Sequence, residues 1–164
     1  MPDYGFRPMT VADLPMIRHW LATPDVVQWW GDPDEQYALM RDDLDHPDMD
    51  QFIVSVVGHP FGYIQCYALS TWNQGFGEHP AGTRGIDQFI GEPDLVGRGH
   101  GSQFIRRFTD HLLQQGTPRV VTDPDPANLR AIRAYEKVGF SREQVVQTPD
   151  GPALLMLRDR SSLS

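Results

Sequence analysis

Gly97-Arg98-Gly99-His100-Gly101-Ser102 is the segment of this chain whose residue types and spacing most directly suggest chemistry. It lies between an expected strand and an apolar-faced helix. Alternating glycines let a backbone approach a ligand with no Cβ in the way. At a helix start, the first N–H groups and the positive end of the dipole point at an anion. The segment is not a Walker loop, because no Gly-Lys-Ser/Thr follows, and it is not a clean GxGxxG. A plain tight turn would use the same glycines. Arg98, Arg106, Arg107, Arg130, Arg133 and Lys137 lie in and after it. A diphosphate ligand would account for the glycines and the charge together.

Other reactive residue types are sparse. Cys66 is the single cysteine, so there is no internal disulfide framework, and it reads as a small buried apolar residue. The six histidines (19, 46, 59, 79, 100, 111) show no metal-ligand spacing, and no metal is expected. Trp29 and Trp30 are adjacent and cannot share one helical face, so one belongs to a core and the other is available to a ligand. Asp42, Asp43, Asp45, Asp48 and Asp50 read either as a solvated face or as a negative field that draws in a polycation.

The charge is unevenly placed. Residues 1–97 carry 4 basic and 15 acidic residues, whereas residues 98–142 carry 8 and 4. A basic module therefore sits inside an acidic chain of net charge −8. Variation among helix surfaces would produce such a pattern, and so would two ligands of opposite sign. The overall charge argues against a nucleic-acid partner. With 164 residues, 40% of them hydrophobic, the composition is that of one globular domain spanning 1–164. No apolar run approaches a membrane span, and MPDYGFRPMT lacks the features of a signal peptide. The expectation is a cytoplasmic protein without a membrane partner.

These residues need elements to position them. Thr10-x-x-Asp13 resembles a capping box ahead of Leu14, Ile17, Trp20 and Leu21. Pro24 and Pro33 mark the starts of two further helices, the second over about 33–45. Residues 51–57 read as a strand, His59-Pro60 as a turn and 61–69 as the hairpin partner. Residues 70–82 (STWNQGFGEHPAG) read as a long loop, either functional or disordered. A strand over 83–91 follows, then a helix over 99–115 that turns Phe104, Ile105, Phe108 and Leu112 inward. RVVT at 119–122 reads as a buried strand, 127–137 as an amphipathic helix, and the end as a hairpin turning at Pro149-Asp150-Gly151. The order implies a mixed α/β domain around one sheet.

A strand, VGRGHGSQFI, a short strand and NLRAIRAYEKVGF together resemble the acetyl-CoA-binding half of the GNAT N-acetyltransferase superfamily. WWG at 29–31, GYIQCY at 62–67, RGIDQFI at 84–90, TDPDPANLRAIRAYEKVGF at 122–140 and TPDGPALLML at 148–157 are similar to aminoglycoside 6′-N-acetyltransferases, in the same order. The resemblance covers nearly the whole chain. RGIDQ and TPDGPA are its most specific blocks. It implies a central, mostly antiparallel twisted sheet flanked by helices and splayed near acetyl-CoA.

The resemblance also implies roles. Arg98, Gly99, His100, Gly101 and Ser102 would hold the CoA diphosphate through backbone amides, with Asn128 near the pantetheine arm. Asp87 matches the family's proposed general base, and Tyr135 its proposed donor to the leaving thiolate. Asp123 and Asp150 match carboxylates that line the aminoglycoside site, and Trp29 and Trp30 match aromatics at its mouth. The family's acidic loop before RGIDQ is represented here by Glu78 alone. Acetyl-CoA is implied as co-substrate, with no metal, acting in a monomer or homodimer.

The implied chemistry suits these residue types. An amine attacks a thioester only when neutral, so carboxylates that attract the cation also serve to accept its proton. An aspartate is a weak base near its ordinary pKa of about 3.9 unless its surroundings raise it. Asp87, flanked by Ile86 and Phe89, is placed for partial desolvation, and acts either directly or through water. A tyrosine near pKa 10 is a suitable donor to a thiolate near 8.5. Most of the rate would come from positioning. A siderophore precursor, a polyamine or a protein amine is the alternative acceptor. A non-catalytic acyl-CoA sensor would be expected to lack Asp87 or Tyr135, and both are present.

Overall fold

The computed structural model describes residues 2–73 and 75–163. It opens on a strand that sequence pattern does not announce. β1 (Tyr4–Pro8) pairs antiparallel with β2 (Met49–Val56), Phe6 opposite Val54. Five residues that include Gly and Pro give a weak β signal, and the proline is tolerated because β1 is an edge strand. The strand order is β1-β2-β3-β4-β5-β7-β6. The remaining strands are β3 (His59–Ala68), β4 (Arg84–Ile90), β5 (Arg119–Thr122), β6 (Ser141–Thr148) and β7 (Gly151–Asp159). β4–β5 is parallel, while β5–β7 and β6–β7 are antiparallel.

Two compact units make up the chain: Met1–Cys66 with Gln88–Arg98, and Tyr67–Asp87 with Gly99–Ser164. In the first, the Thr10 amide donates to Asp13 at 2.9 Å, as the capping pattern requires, and Arg7 grips both Asp13 oxygens at 2.8 Å. The Arg7 hydrogen bonds hold the Asp13 carboxyl below the usual carboxylate range. Proline occupies the first position of α2 (Pro24–Trp30) and α3 (Pro33–Asp43), where no amide bond is lost. The apolar stripe of α1 (Leu14–Leu21) buries Ile17, Trp20 and Leu21 among Val26, Met40, Ile53, Tyr63 and Phe89. The β2–β3 turn falls at Val57-Gly58, with φ of 49° and 77°, not at His59-Pro60 as the sequence suggests. A tight hairpin needs positive φ, which proline cannot adopt, so His59 and Pro60 open β3 instead.

In the second unit, α5 (His100–Gln114) buries Phe104, Ile105, Phe108 and Leu113, and α6 (Leu129–Val138) buries Ile132, Tyr135 and Val138. Leu113, not the expected Leu112, closes the inner face of α5; Leu112 is half-buried. Arg158 on β7, 3% exposed, is satisfied by Thr109 at 2.8 Å, Asp110 at 2.6 Å and Ser162 at 3.1 Å. A buried guanidinium needs such full pairing to be tolerated. Gly139, at φ 113°, ends α6 in the left-handed conformation.

Candidate functional site

The parallel β4–β5 ladder positions a group of carboxyls in the second unit. Its register is Arg84↔Val120 and Gly85↔Val121. Asp87, on β4, and Asp123, one residue past the end of β5, each lie two residues beyond the second pair. Two hydrogen bonds and one ladder pair fix the chain around Asp123 past this ladder. The Thr122 hydroxyl donates to the Ile86 carbonyl at 3.1 Å, Thr122 faces Met156 on β7, and the Leu154 amide donates to the Pro124 carbonyl at 2.8 Å. Asp123 is thus anchored on both sides. Gly85 is needed here because the Tyr67 ring lies across it; a Cβ would sit 2.3 Å from a ring carbon.

Asp150 comes from the β6–β7 turn. The Thr148 hydroxyl accepts from the Asp150 amide at 3.2 Å and donates to the Gly151 carbonyl at 2.8 Å, and Gly151 takes φ 113°. Asp150 is exposed, whereas Asp87 and Asp123 are half-buried. Burial drives the Asp123 carboxyl well above its ordinary range, the Asp87 charge and hydrogen bond add to this, and the Asp150 charge adds more. Three carboxyls from three separate elements therefore act on one place.

This geometry has a consequence for stability. Folded Asp123 keeps its proton to a higher pH than in the unfolded chain, where it ionises near about 3.9. The folded state binds more protons, so this contribution is full below the unfolded value and is lost as pH rises through the folded one. Asp123→Asn keeps the shape and removes the ionisation. Calorimetry at a series of pH values is expected to give the variant a higher melting temperature at neutral pH, with the gap closing towards acid. A variant no more stable than wild type at neutral pH would contradict this account.

The glycine segment has a backbone that would admit a ligand. Gly97 and Gly99 take φ of 76° and 84°, and Gly99 is the N-cap of α5. A glycine cap has no side chain to accept from the first-turn amides, which favours their use by an anion. A Cβ at Gly97 or Gly101 would meet nothing within 4 Å, so the space beside the backbone is open. These features fit a diphosphate. Ser102 donates its hydroxyl to the Gly99 carbonyl at 3.3 Å, and Arg98 is exposed. The basic residues nearby are not all free to serve an anion: Arg106 donates to the Lys137 carbonyl, tying α5 to the end of α6.

Asn128 and Tyr135 both belong to α6. Asn128 is its N-cap, accepting the Ala131 amide at 3.3 Å. Tyr135 is 3% exposed and meets Phe140 edge-on at 5.4 Å. In the first unit, Trp30 is the tryptophan the core takes, edge-on to Phe89 at 5.3 Å and to Tyr63 at 6.3 Å. Trp29 is half-buried at the end of the same helix.

The segment read as one long loop is partly helical, α4 (Leu69–Trp72), and bonded beyond it. Asn73 accepts from the Phe76 amide at 2.9 Å and donates to the Gly77 carbonyl at 2.7 Å. His79 accepts from Arg119 through Nδ1 at 3.1 Å, because a guanidinium only donates, so its Nε2–H donates to the Phe76 carbonyl at 2.8 Å. Arg119 also pairs with Asp159 at 2.6 Å. Sequence reading passed over this His79–Arg119–Asp159 network, whose members lie on three distant segments with no motif among them. Glu78 is exposed, and its charge is not among those acting on Asp123. Among the described residues no group of three or more His, Cys, Asp or Glu could hold a metal, and no helix is long and apolar enough to cross a membrane.

Comparison with known proteins gives these features a context. A family model for the acetyltransferase (GNAT) domain matches residues 10–148. An aminoglycoside N(6′)-acetyltransferase type 1 from Klebsiella pneumoniae is 37% identical over 168 residues, covering 95% of this chain and 83% of the relative. The crystal structure of aminoglycoside acetyltransferase AAC(6′)-Ib in complex with coenzyme A is 35% identical with a TM-score of 0.85, over 97% of this chain and 96% of that one. The same enzyme with coenzyme A and kanamycin is 36% identical with a TM-score of 0.81, over 97% and 96%. The family match takes in the glycine segment, the α6 block and the whole of β6, ending at Thr148 just before the β6–β7 turn, and on that breadth this chain belongs to the GNAT acetyltransferases.

Proposed function

We propose that this enzyme transfers the acetyl group of acetyl-CoA to the 6′-amine of an aminoglycoside. The convergence of Asp87, Asp123 and Asp150 supports this reading most strongly, because a polycationic acceptor requires a site dense in carboxyls. Acetyl-CoA supplies the acetyl group as a thioester. The amides of Gly99, His100, Gly101 and Ser102, with Arg98, hold its diphosphate, and Asn128 serves the pantetheine arm while capping α6. Asp87 takes the proton of the acceptor's ammonium group, directly or through water. Tyr135 gives a proton to the departing sulfur. Asp123, Asp150 and Glu78 hold the acceptor's cations, and of Trp29 and Trp30 the former keeps a ring that the core does not claim.

The two compact units act as one acetyltransferase domain over 1–164, a reading supported by a family match that runs through both. The enzyme works in the cytoplasm, where Cys66 stays a reduced, buried thiol outside any disulfide, as a monomer or homodimer with no nucleic-acid or membrane partner. One observation keeps a second acceptor class in view: Glu78 is the single acid in the segment before β4. That class is a polyamine, a siderophore precursor or a protein amine.

Free-thiol release across aminoglycosides, polyamines and hydroxylated lysines tests the acceptor directly. Asp150→Asn then tests the site, since a hairpin turn has no other reason to affect acetyl transfer. The expected result is a rise of about tenfold in KM for an aminoglycoside, the cost of one charged contact, with KM for acetyl-CoA nearly fixed. Added salt should weaken drug binding more in wild type than in the variant. A moving cofactor constant with a fixed drug constant would refute the site, and turnover of polyamines alone would install the second acceptor class.

A further inference from the structure

Two carboxyl groups cannot hydrogen-bond to each other unless one of them carries a proton. The β4–β5 register and the Thr122–Ile86 bond set Asp87 and Asp123 on adjacent chain segments, and burial, with the Asp87 charge and hydrogen bonding added, holds the Asp123 carboxyl protonated to higher pH. The chain on either side of Asp123 is tied to its neighbours. The β4–β5 register sets them side by side, Thr122 locks β5 to Ile86, and Leu154 locks Pro124. The charges that act on Asp123 are both negative, Asp87 from β4 and Asp150 from the β6–β7 turn. Such close carboxyls behave as one titrating unit whose proton belongs to the pair.

We propose that Asp87 and Asp123 share one proton in the free enzyme, and that the acceptor's ammonium group expels it on binding. Only the second half rests on the acceptor reading above. The proton count closes. Acetylating an ammonium group yields an amide, a thiol and one proton. On binding, an O–H bond of the pair breaks, that proton goes to solvent, and the ammonium takes its place between the oxygens. At the chemical step the pair takes a proton back: an N–H bond breaks, an O–H bond forms, and the freed electron pair on nitrogen forms the C–N bond. The electrons of the C–S bond leave with sulfur, which takes a proton from Tyr135, and Tyr135 recovers one from the nitrogen. The pair ends as it began. The proton released over the whole cycle departs when the acceptor binds, and the base is fully charged only while an ammonium group faces it.

The test is titration calorimetry of kanamycin into the enzyme with coenzyme A, in buffers of different ionisation enthalpy, for wild type and Asp123→Asn. Protonation changes on the drug are common to both proteins and cancel. Wild type should release about one proton more than the variant; equal exchange would overturn expulsion. Infrared spectra of the ligand-free protein at neutral pH should show the C=O stretch of a protonated carboxyl that vanishes in Asp123→Asn and in Asp87→Asn. Absence of that band in wild type would overturn the shared proton. If kanamycin gives no heat in either protein while the band is present, the aminoglycoside reading and the expulsion step fail together, and the shared proton stands.

Discussion

Gly101→Leu is expected to abolish the rise in melting temperature that acetyl-CoA gives the wild-type enzyme. Ligand at one hundred times its Kd stabilises by about 2.7 kcal/mol, which in a domain of this size is on the order of 5–10 °C. The variant should lose that whole shift. Gly101 is the sharper of the two candidate positions for a reason visible in the backbone. It lies inside α5, it does not use left-handed φ, and its Cβ would meet nothing within 4 Å. A side chain there costs the ligand-free fold nothing and gains helix propensity of up to about 1 kcal/mol.

Gly99 does not offer that separation. It caps α5 at φ 84°, so any other residue there is strained before a ligand arrives. A lost shift at Gly99 would mix strain with lost binding. At Gly101 the ligand-free melting temperature should hold or rise while the acetyl-CoA shift disappears. Scanning fluorimetry with and without acetyl-CoA reads both at once. A Gly101→Leu protein that keeps the full shift would place the diphosphate elsewhere.

The elements that hold these residues were legible where one physical signal dominated. α5, β5, α6 and the closing hairpin lie within about two residues of their expected bounds, because apolar periodicity and terminal glycines agree there. β1 does not declare itself, because Tyr-Gly-Phe-Arg-Pro is too short and too rich in strand breakers; pairing with β2 makes it a strand. The β2–β3 turn was shifted by two residues because Pro outranked Val-Gly as a turn marker, although φ decides the matter. The site divides in the same way. The glycine turn ahead of α5 is contiguous, and its left-handed Gly97 and Gly99 could be read directly. The meeting of Asp87 with Asp123, 36 positions apart, follows from the parallel register of β4 and β5, which resemblance implied and residue spacing alone did not. Nor could the basic cluster be apportioned from charge: Arg106 serves a helix carbonyl instead of an anion.

Tyr135→Phe is expected to lower kcat by about 10²-fold, the lower part of the range for a general acid or base, while the protein stays folded. The structure makes this a demanding test, because Tyr135 has a sound structural reason to exist. It is 3% exposed, on the inner face of α6 with Ile132 and Val138, and edge-on to Phe140. Phenylalanine preserves all of that packing and removes only the hydroxyl, so a core residue and a proton donor give opposite outcomes. A core role predicts an unchanged kcat and a stability change of about 1 kcal/mol or less. A donor role predicts the fall in kcat with KM for acetyl-CoA nearly unchanged, since the hydroxyl acts on sulfur only as the C–S bond breaks. The pH profile separates them further: a phenol must be protonated to donate, so the wild-type rate should decline on the alkaline side and the residual rate of the variant should not. An unchanged kcat, measured where chemistry limits turnover, would return Tyr135 to the core and leave protonation of the thiolate to water.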